Sequence, residues 1–384
     1  MLTEGVDYAD ASKSTHDDVA DTFKFTDASE KITATFAQLS KGDQLIDLSN
    51  ADNDTLALSL DINNVKQTIG SKNGATLVNI EELDITSIGA KNITFDNTIS
   101  AAGLKTIKIA GSFLNEKGND GNGFTFNGNV LKTLTTIDAS AITAGNVNID
   151  ASKATQDLTI TGPNFAASIN GGSGNDTITG QGTINGGSGN DTIDASTAIG
   201  AVTIIDGSGA DTIKGGAGND DITLTNGDKD SDTIIFAATA AANGKDTITG
   251  FTAGPGGDVL NFAAFLGNTI AISGASGSGL GDGGSGVAIS TSGFDAAASG
   301  AGNVIYVKDV TSPLTKANFG SSAGEKNVIK VATETNYVVI AKDTANNTNT
   351  IYYVEVGTDE TNATVTPVGT INTLTNAFVA DNFA

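Results

Sequence analysis

One nine-residue phrase recurs in the middle of the chain and narrows what it can fold into. Residues 171–179 read GGSGNDTIT, 186–194 read GGSGNDTID and 215–223 read GGAGNDDIT. Residues 206–214, DGSGADTIK, repeat the phrase with Asp206 in place of the first glycine. All four follow G-G-x-G-x-D-x-U-x, with U a large apolar residue. A unit this short cannot bury its own apolar side, so copies must stack. Its glycines permit tight turns and close backbone approach. Its isoleucine points inward from a very short strand whose flanking residues point out. The phrase therefore predicts an all-β fold, a parallel β-roll or β-helix solenoid with two phrases per turn.

The aspartate at the sixth position brings a carboxylate to each turn. Carboxylate and turn carbonyl oxygens form a hard donor set that suits Ca²⁺ rather than a soft transition metal. The candidate metal residues are Gly171, Gly174 and Asp176; Gly186, Gly189 and Asp191; Asp206, Gly209 and Asp211; and Gly215, Gly218 and Asp220. Asp232 in NGDKDSDTII, Asp246 in NGKDTIT and Asp258 in GGDVLNF extend the series. The spacing is uneven: 180–185 is a shortened half-turn and 195–205 a lengthened one. Counting along it predicts one main ladder of Asp176, Asp191, Asp211 and Asp232, continued by Asp246 and Asp258. The opposite edge is expected to hold only 215–220.

Charge agrees with cation binding. Forty-four acidic residues against twenty basic ones give a formal charge of -24, which disfavours nucleic acid and anionic membrane as partners. Disorder or a merely soluble acidic surface would scatter the acids, whereas many of these sit at one position of a repeated turn. The chain has no cysteine, so no disulfide braces it. No apolar run is long enough for a membrane-crossing helix. The opening MLTEGVDYADASK has no basic region followed by an apolar one, so export is expected to use another route than the classical signal.

A strand rhythm runs upstream of the phrases. Ile137, Ile149, Ile160, Ile169 and Ile178 step by 12, 11, 9 and 9 residues. An antiparallel sandwich also accommodates short alternating strands, but a rhythm unbroken into the repeats favours one solenoid from about 80 to 262. The expected organisation is an N-terminal β segment with degenerate repeats (1–79), a calcium-poor solenoid (80–170), the calcium-binding roll (171–262) and a C-terminal β unit (263–384). Within the first, DTFKF (21–25) and DTLALSL (54–60) read as decayed forms of the aspartate-turn-strand unit. Residues 111–130 are expected to be an inserted loop, and the Gly/Ser/Ala-rich 271–302 a flexible connection.

The nonapeptides resemble the repeats of the RTX family, the haemolysin-type calcium-binding repeat. Together with LVNIEELDIT, GAKNITFD, LKTIKIAGS and LTTIDASAITAGNVNIDAS running into LTITG, the chain resembles the C-terminal, calcium-binding part of RTX-bearing bacterial S-layer proteins. DTITGFTAGPGGDVLNF (246–262) is similar to the segment that closes many RTX rolls. The resemblance implies a secreted cell-surface protein that self-associates into a two-dimensional lattice. It also implies a type I exporter reading an uncleaved C-terminal signal, with which FVADNFA at the end agrees. Family members usually carry an N-terminal domain anchoring them to lipopolysaccharide. None is evident here, so the chain is expected to be a C-terminal portion. The alternative is a calcium-braced stalk or secretion module of an RTX adhesin or secreted enzyme.

No enzyme is expected. His16 is the single histidine, which excludes H-E-x-x-H and a Ser-His-Asp triad with a proper nucleophile elbow. GASGSG (274–279) contains G-x-S-x-G only within a low-complexity stretch. Paired carboxylates for glycoside cleavage are compatible with so acidic a composition, but the absence of tryptophan argues against an aromatic sugar cleft.

Overall fold

A computed structural model describes residues 52–60, 76–90, 101–113, 132–225, 230–266, 336–343, 346–358 and 363–372, with shorter pieces elsewhere between Thr22 and Phe383. The chain forms two units, Met1–Ile193 and Asp194–Ala384. Both are built mainly from strands.

The first unit is a succession of parallel coils. Strands Lys31–Thr35, Thr55–Leu60, Glu82–Ala90, Thr106–Phe113, Thr136–Ala144, Thr159–Thr161 and Thr177–Thr179 lie side by side in one sheet. A second sheet runs Gln67–Ile69, Ile93–Phe95, Gly123–Phe126, Asn148–Ala154, Ala167–Gly172 and Gly182–Ser188. A third, Thr22–Lys24, Gln44–Ile46, Thr76–Val78 and Ala101–Ala102, gives the early coils a further side. Every pairing here is parallel, so the antiparallel sandwich is excluded.

One apolar column per sheet forms the core. Leu56, Leu83, Ile107, Ile137, Ile160 and Ile178 stack in register, and Ile149, Ile169 and Ile184 do so on the second sheet. All are essentially inaccessible to solvent. The β-branched Thr-Ile-Thr and Thr-Ile-Asp triplets suit this geometry, because a stiff side chain packs well on a pleated surface. Measured along the first column, successive coils take 27, 24, 30, 23 and 18 residues. The coils are unequal, and the shortest of these five is the one that ends in the first glycine-rich phrase.

Two expectations are corrected. The solenoid does not begin near residue 80, because Thr55–Leu60 pairs in parallel with Glu82–Ala90 across the expected boundary at 79. Nor is 111–130 wholly a loop. Gly111–Phe113 completes the strand Thr106–Phe113, and Gly123–Phe126 pairs with Ile93–Phe95 and Asn148–Ala154. The glycines and asparagines around 114–131 concealed a short strand that needs only three residues in register.

In the second unit the chain again alternates between two sheets. Thr212–Lys214, Thr233–Ile235 and Val259–Asn261 form one, with Ile213, Ile234 and Leu260 stacked. Thr203–Ser208, Asp221–Thr223 and Asp246–Thr249 form the other, with Ile204, Ile222 and Ile248 stacked. The C-terminal β unit extends that second sheet rather than folding apart from it. Thr364–Asn372 lies parallel to Asp246–Thr249, placing Ile371 on Ile248. It then pairs antiparallel with Thr348–Glu355, and that strand with Asn336–Asp343.

These last strands bury a core of their own around Ile305, Tyr337, Val339, Tyr352 and Val354. Aromatic rings close the solenoid end. Phe265 stacks on Tyr353 at 3.7 Å between centroids, and Phe251 packs on Phe378 at 5.7 Å. Most of 271–302 lies outside the described residues, although Ile272–Ser273 pairs with Val304–Lys308.

Candidate metal centre

Each repeat aspartate precedes an inward isoleucine or leucine by two residues, which sets it where the turn enters the strand. Its carboxylate then reaches back one coil. In the first unit the Leu158 N–H donates to Asp176 Oδ1 at 2.8 Å, and the Asp176 N–H donates to Asp191 Oδ1 at 2.7 Å. In the second unit the Asp211 N–H donates to Asp232 Oδ1 at 2.9 Å and the Asp232 N–H to Asp258 Oδ1 at 3.0 Å. These aspartates belong to the sheet of Thr212–Lys214, Thr233–Ile235 and Val259–Asn261.

The opposite edge carries its own column. The Val202 N–H donates to Asp220 Oδ1 at 2.8 Å, and the Asp220 N–H to Asp246 Oδ1 at 3.1 Å. Asp246 therefore does not continue the main ladder as expected. The chain changes edge at every strand, so Asp211, Asp220, Asp232, Asp246 and Asp258 alternate between the two. Spacing alone cannot separate fourteen residues of turn and helix from a full coil.

Backbone donors use one oxygen of each carboxylate, and the other oxygen decides what the edge can bind. Asp176 and Asp220 are 1% and 0% exposed, and the Oδ2 of each is buried with no hydrogen-bond partner. A bare buried carboxylate oxygen is costly and calls for a cation or a proton. The first glycine of the phrase makes room for it: a Cβ on Gly171 or Gly215 would press on the Oδ2 of Asp176 or Asp220. Gly174 and Gly218 lie directly over the backbone of the preceding coil at Gln156 and Gly200, and the Gly186 carbonyl faces Gly171. Gly189 and Gly209 hold φ of 116° and 125°, a region that side chains rarely adopt.

Among the described residues, Asp206, Asp211 and Asp232 form an acidic group whose carboxylate oxygens all lie within 4.8 Å of one another. All three are buried. Asp206, which replaces the first glycine, accepts from the Thr225 N–H and Oγ1 at 3.0 and 3.1 Å. Burial, and then the charges of Asp206, Asp258 and Asp211, push Asp232 up to about 8. Burial likewise raises Asp206. On the other edge burial and Asp220 push Asp246 to about 8, and in the first unit burial pushes Asp176 to about 6. The Asp206 group is thus a buried all-oxygen cluster able to bind a metal ion.

The two columns end differently from their middles. Asp258 Oδ2 accepts the Thr252 N–H at 2.6 Å, and Asp246 Oδ2 accepts Asn243 Nδ2 at 2.9 Å. Amide donors therefore take the outer oxygens of both terminal aspartates. Sequence reasoning passed over Asn243 and also the asparagine before Asp176, Asp191 and Asp220. Asn175 Oδ1 accepts the Asn190 N–H at 2.7 Å, and Asn219 Oδ1 accepts the Lys245 N–H at 2.9 Å. The repeated N-D pair in GSGND and GAGND was the available signal for this second rail.

No family model, curated protein or solved structure matches this chain.

Proposed function

We propose that the chain is a structural protein of a bacterial surface layer, folded and assembled by Ca²⁺ held along the aspartate columns. The observation that carries the calcium reading is the repeated buried carboxylate with an oxygen lacking any donor, at Asp176 and Asp220, beside the three-carboxylate group of Asp206, Asp211 and Asp232. The donor set is oxygen only, with no thiol in the chain, and turn carbonyls stand beside it. That is the chemistry of a hard cation with irregular coordination. Bound there, Ca²⁺ would supply the positive charge that lets stacked carboxylates stay ionised.

The residues do the rest. Each aspartate carboxylate ties neighbouring coils by accepting a backbone N–H of the coil before it, and the isoleucine columns seal the interior. Secretion through a type I exporter and lattice formation rest on the resemblance to S-layer proteins. They fit a chain whose thin core gives little folding drive against charge repulsion and chain entropy. Extracellular calcium modules bind at about 10⁻⁴–10⁻³ M, so folding would await the exterior. The deciding experiment follows circular dichroism, light scattering and electron microscopy while calcium is restored to the chelated protein. Calcium-dependent folding and flat sheets are expected. A protein that melts at the same temperature in excess chelator as in calcium would refute the calcium role, and a monomer at every calcium level would favour the stalk.

A further inference from the structure

The first unit carries a groove of about 390 Å³ on the outer face of its second sheet, within the range of about 300–1,000 Å³ usual for small-molecule sites. Three strand starts build it. Asn148, Ser168 and Thr183 each precede an inward isoleucine by one residue and so point outward. They are partners in register on neighbouring strands, Asn148 beside Ser168 and Ser168 beside Thr183, and all three line the groove. One carboxamide and two hydroxyls therefore form a row across it. Asn146 adds a second carboxamide and Ala166 a methyl group, and both residues are exposed. Gly182 lets the third strand start close against the second: its φ is 101°, and a Cβ there would press on the Ala167 backbone.

A second observation points to a ligand. Asn148 Oδ1 is shut off from solvent and has no hydrogen-bond partner, which costs free energy. The main chain of the groove is already paired: the Ser168 N–H donates to the Val147 carbonyl at 2.9 Å, and the Ala167 N–H to the Gln181 carbonyl at 2.8 Å. A half-turn of the amide puts its acceptor where Nδ2 now stands, so a ligand hydroxyl can meet either group. No ionisable side chain lines the groove, and a charged ligand would enter it without a partner. A wholly apolar ligand would bury the amide and hydroxyls unpaired. We infer that the groove binds a neutral polyhydroxy compound, a sugar ring, whose hydroxyls donate to Asn148 Oδ1 and exchange hydrogen bonds with Ser168 and Thr183. No aromatic ring lines the groove, so recognition rests on amide and hydroxyl groups rather than on stacking. Every lining residue lies outside the nonapeptides, and the inference does not rest on calcium at the aspartate columns.

The test uses the full chain with calcium present and saturation-transfer NMR at millimolar sugar. Glucose, galactose and mannose are the free probes, and dextran is the neutral chain. Saturable transfer to at least one probe is expected. A signal from the monosaccharides identifies a site for free sugar, and one from dextran alone a site for a glycan chain. Asn148→Leu and Thr183→Val should each weaken binding about two- to tenfold, the contribution of one hydrogen bond. The Tm of each should match or exceed that of the wild type. Thr183 is exposed, so Thr183→Val tests the site even where the change at Asn148 disturbs the fold. No transfer from any probe, or unchanged binding in either folded variant, would overturn the site. Tighter binding of glucuronate than of glucose would overturn the neutral class.

Discussion

The Asp211 N–H donates to Oδ1 of Asp232 at 2.9 Å, while the charge of Asp211 helps to push Asp232 up to about 8. One residue therefore both holds its neighbour's carboxylate in place and resists its ionisation. Asp232→Asn separates the two effects, since the amide oxygen can still accept while the charge is gone. In chelator at pH 8 the variant should melt higher than wild type. In saturating calcium its gain in Tm should be smaller than the wild type's. Scanning calorimetry in both conditions checks this, and a variant that loses Tm in chelator would show that the carboxylate charge is not a burden there.

Stability of the metal-free protein should depend on pH in an unusual direction. Asp232 and Asp246 sit at about 8 and Asp176 at about 6, against about 3.9 for an aspartate in an unfolded chain. Between these values the folded state holds protons that the unfolded state has lost. Stability must then fall as pH rises from about 4 to about 8, by up to about 1.4 kcal/mol per pH unit for each such group. Tm in chelator should be higher at pH 5 than at pH 8. With calcium present the order should reverse, because protons compete for the same oxygens.

The first glycine of the phrase should be intolerant of even one methyl group. A Cβ on Gly215 would press on Asp220 Oδ2, whereas one on Gly200 would meet nothing within 4 Å. Gly215→Ala should cost about 1–3 kcal/mol, the usual range for overpacking, and Gly200→Ala close to nothing. Urea unfolding of the two variants at one calcium concentration decides the matter.

Asn243 ties the end of one column to the C-terminal strands. Its Oδ1 accepts the Ala237 N–H at 3.0 Å, and its Nδ2 donates to Asp246 Oδ2 at 2.9 Å and to the Val368 carbonyl at 3.1 Å. Asn243→Ala would leave buried groups unsatisfied, at about 1–3 kcal/mol. Hydrogen exchange should show the loss concentrated in 246–249 and 364–372. An effect spread evenly over the second unit would contradict a local tie.

The parallel all-β class was legible because a nine-residue phrase with one inward isoleucine leaves few ways to bury it. The 12, 11, 9 and 9 steps from Ile137 to Ile178 proved to be alternate visits to two sheets. The edge of Asp246 was not legible, since the preceding turn contains the helix Ala240–Asn243 and its length mimics a coil. Gly123–Phe126 was hidden for the opposite reason: a parallel strand can be specified by its neighbours on both sides while its own sequence looks like a loop.

The unequal coils of the first unit give it a mechanical signature. If the unit is drawn out from its ends and gives way coil by coil, each release frees a length of thread set by that coil alone. At roughly 3.4 Å per residue, the coil from Ile107 to Ile137 would lengthen the tether by about 100 Å and the one from Ile160 to Ile178 by about 60 Å. The force record of a single molecule would then work as a ruler, each step length naming the coil that has just let go.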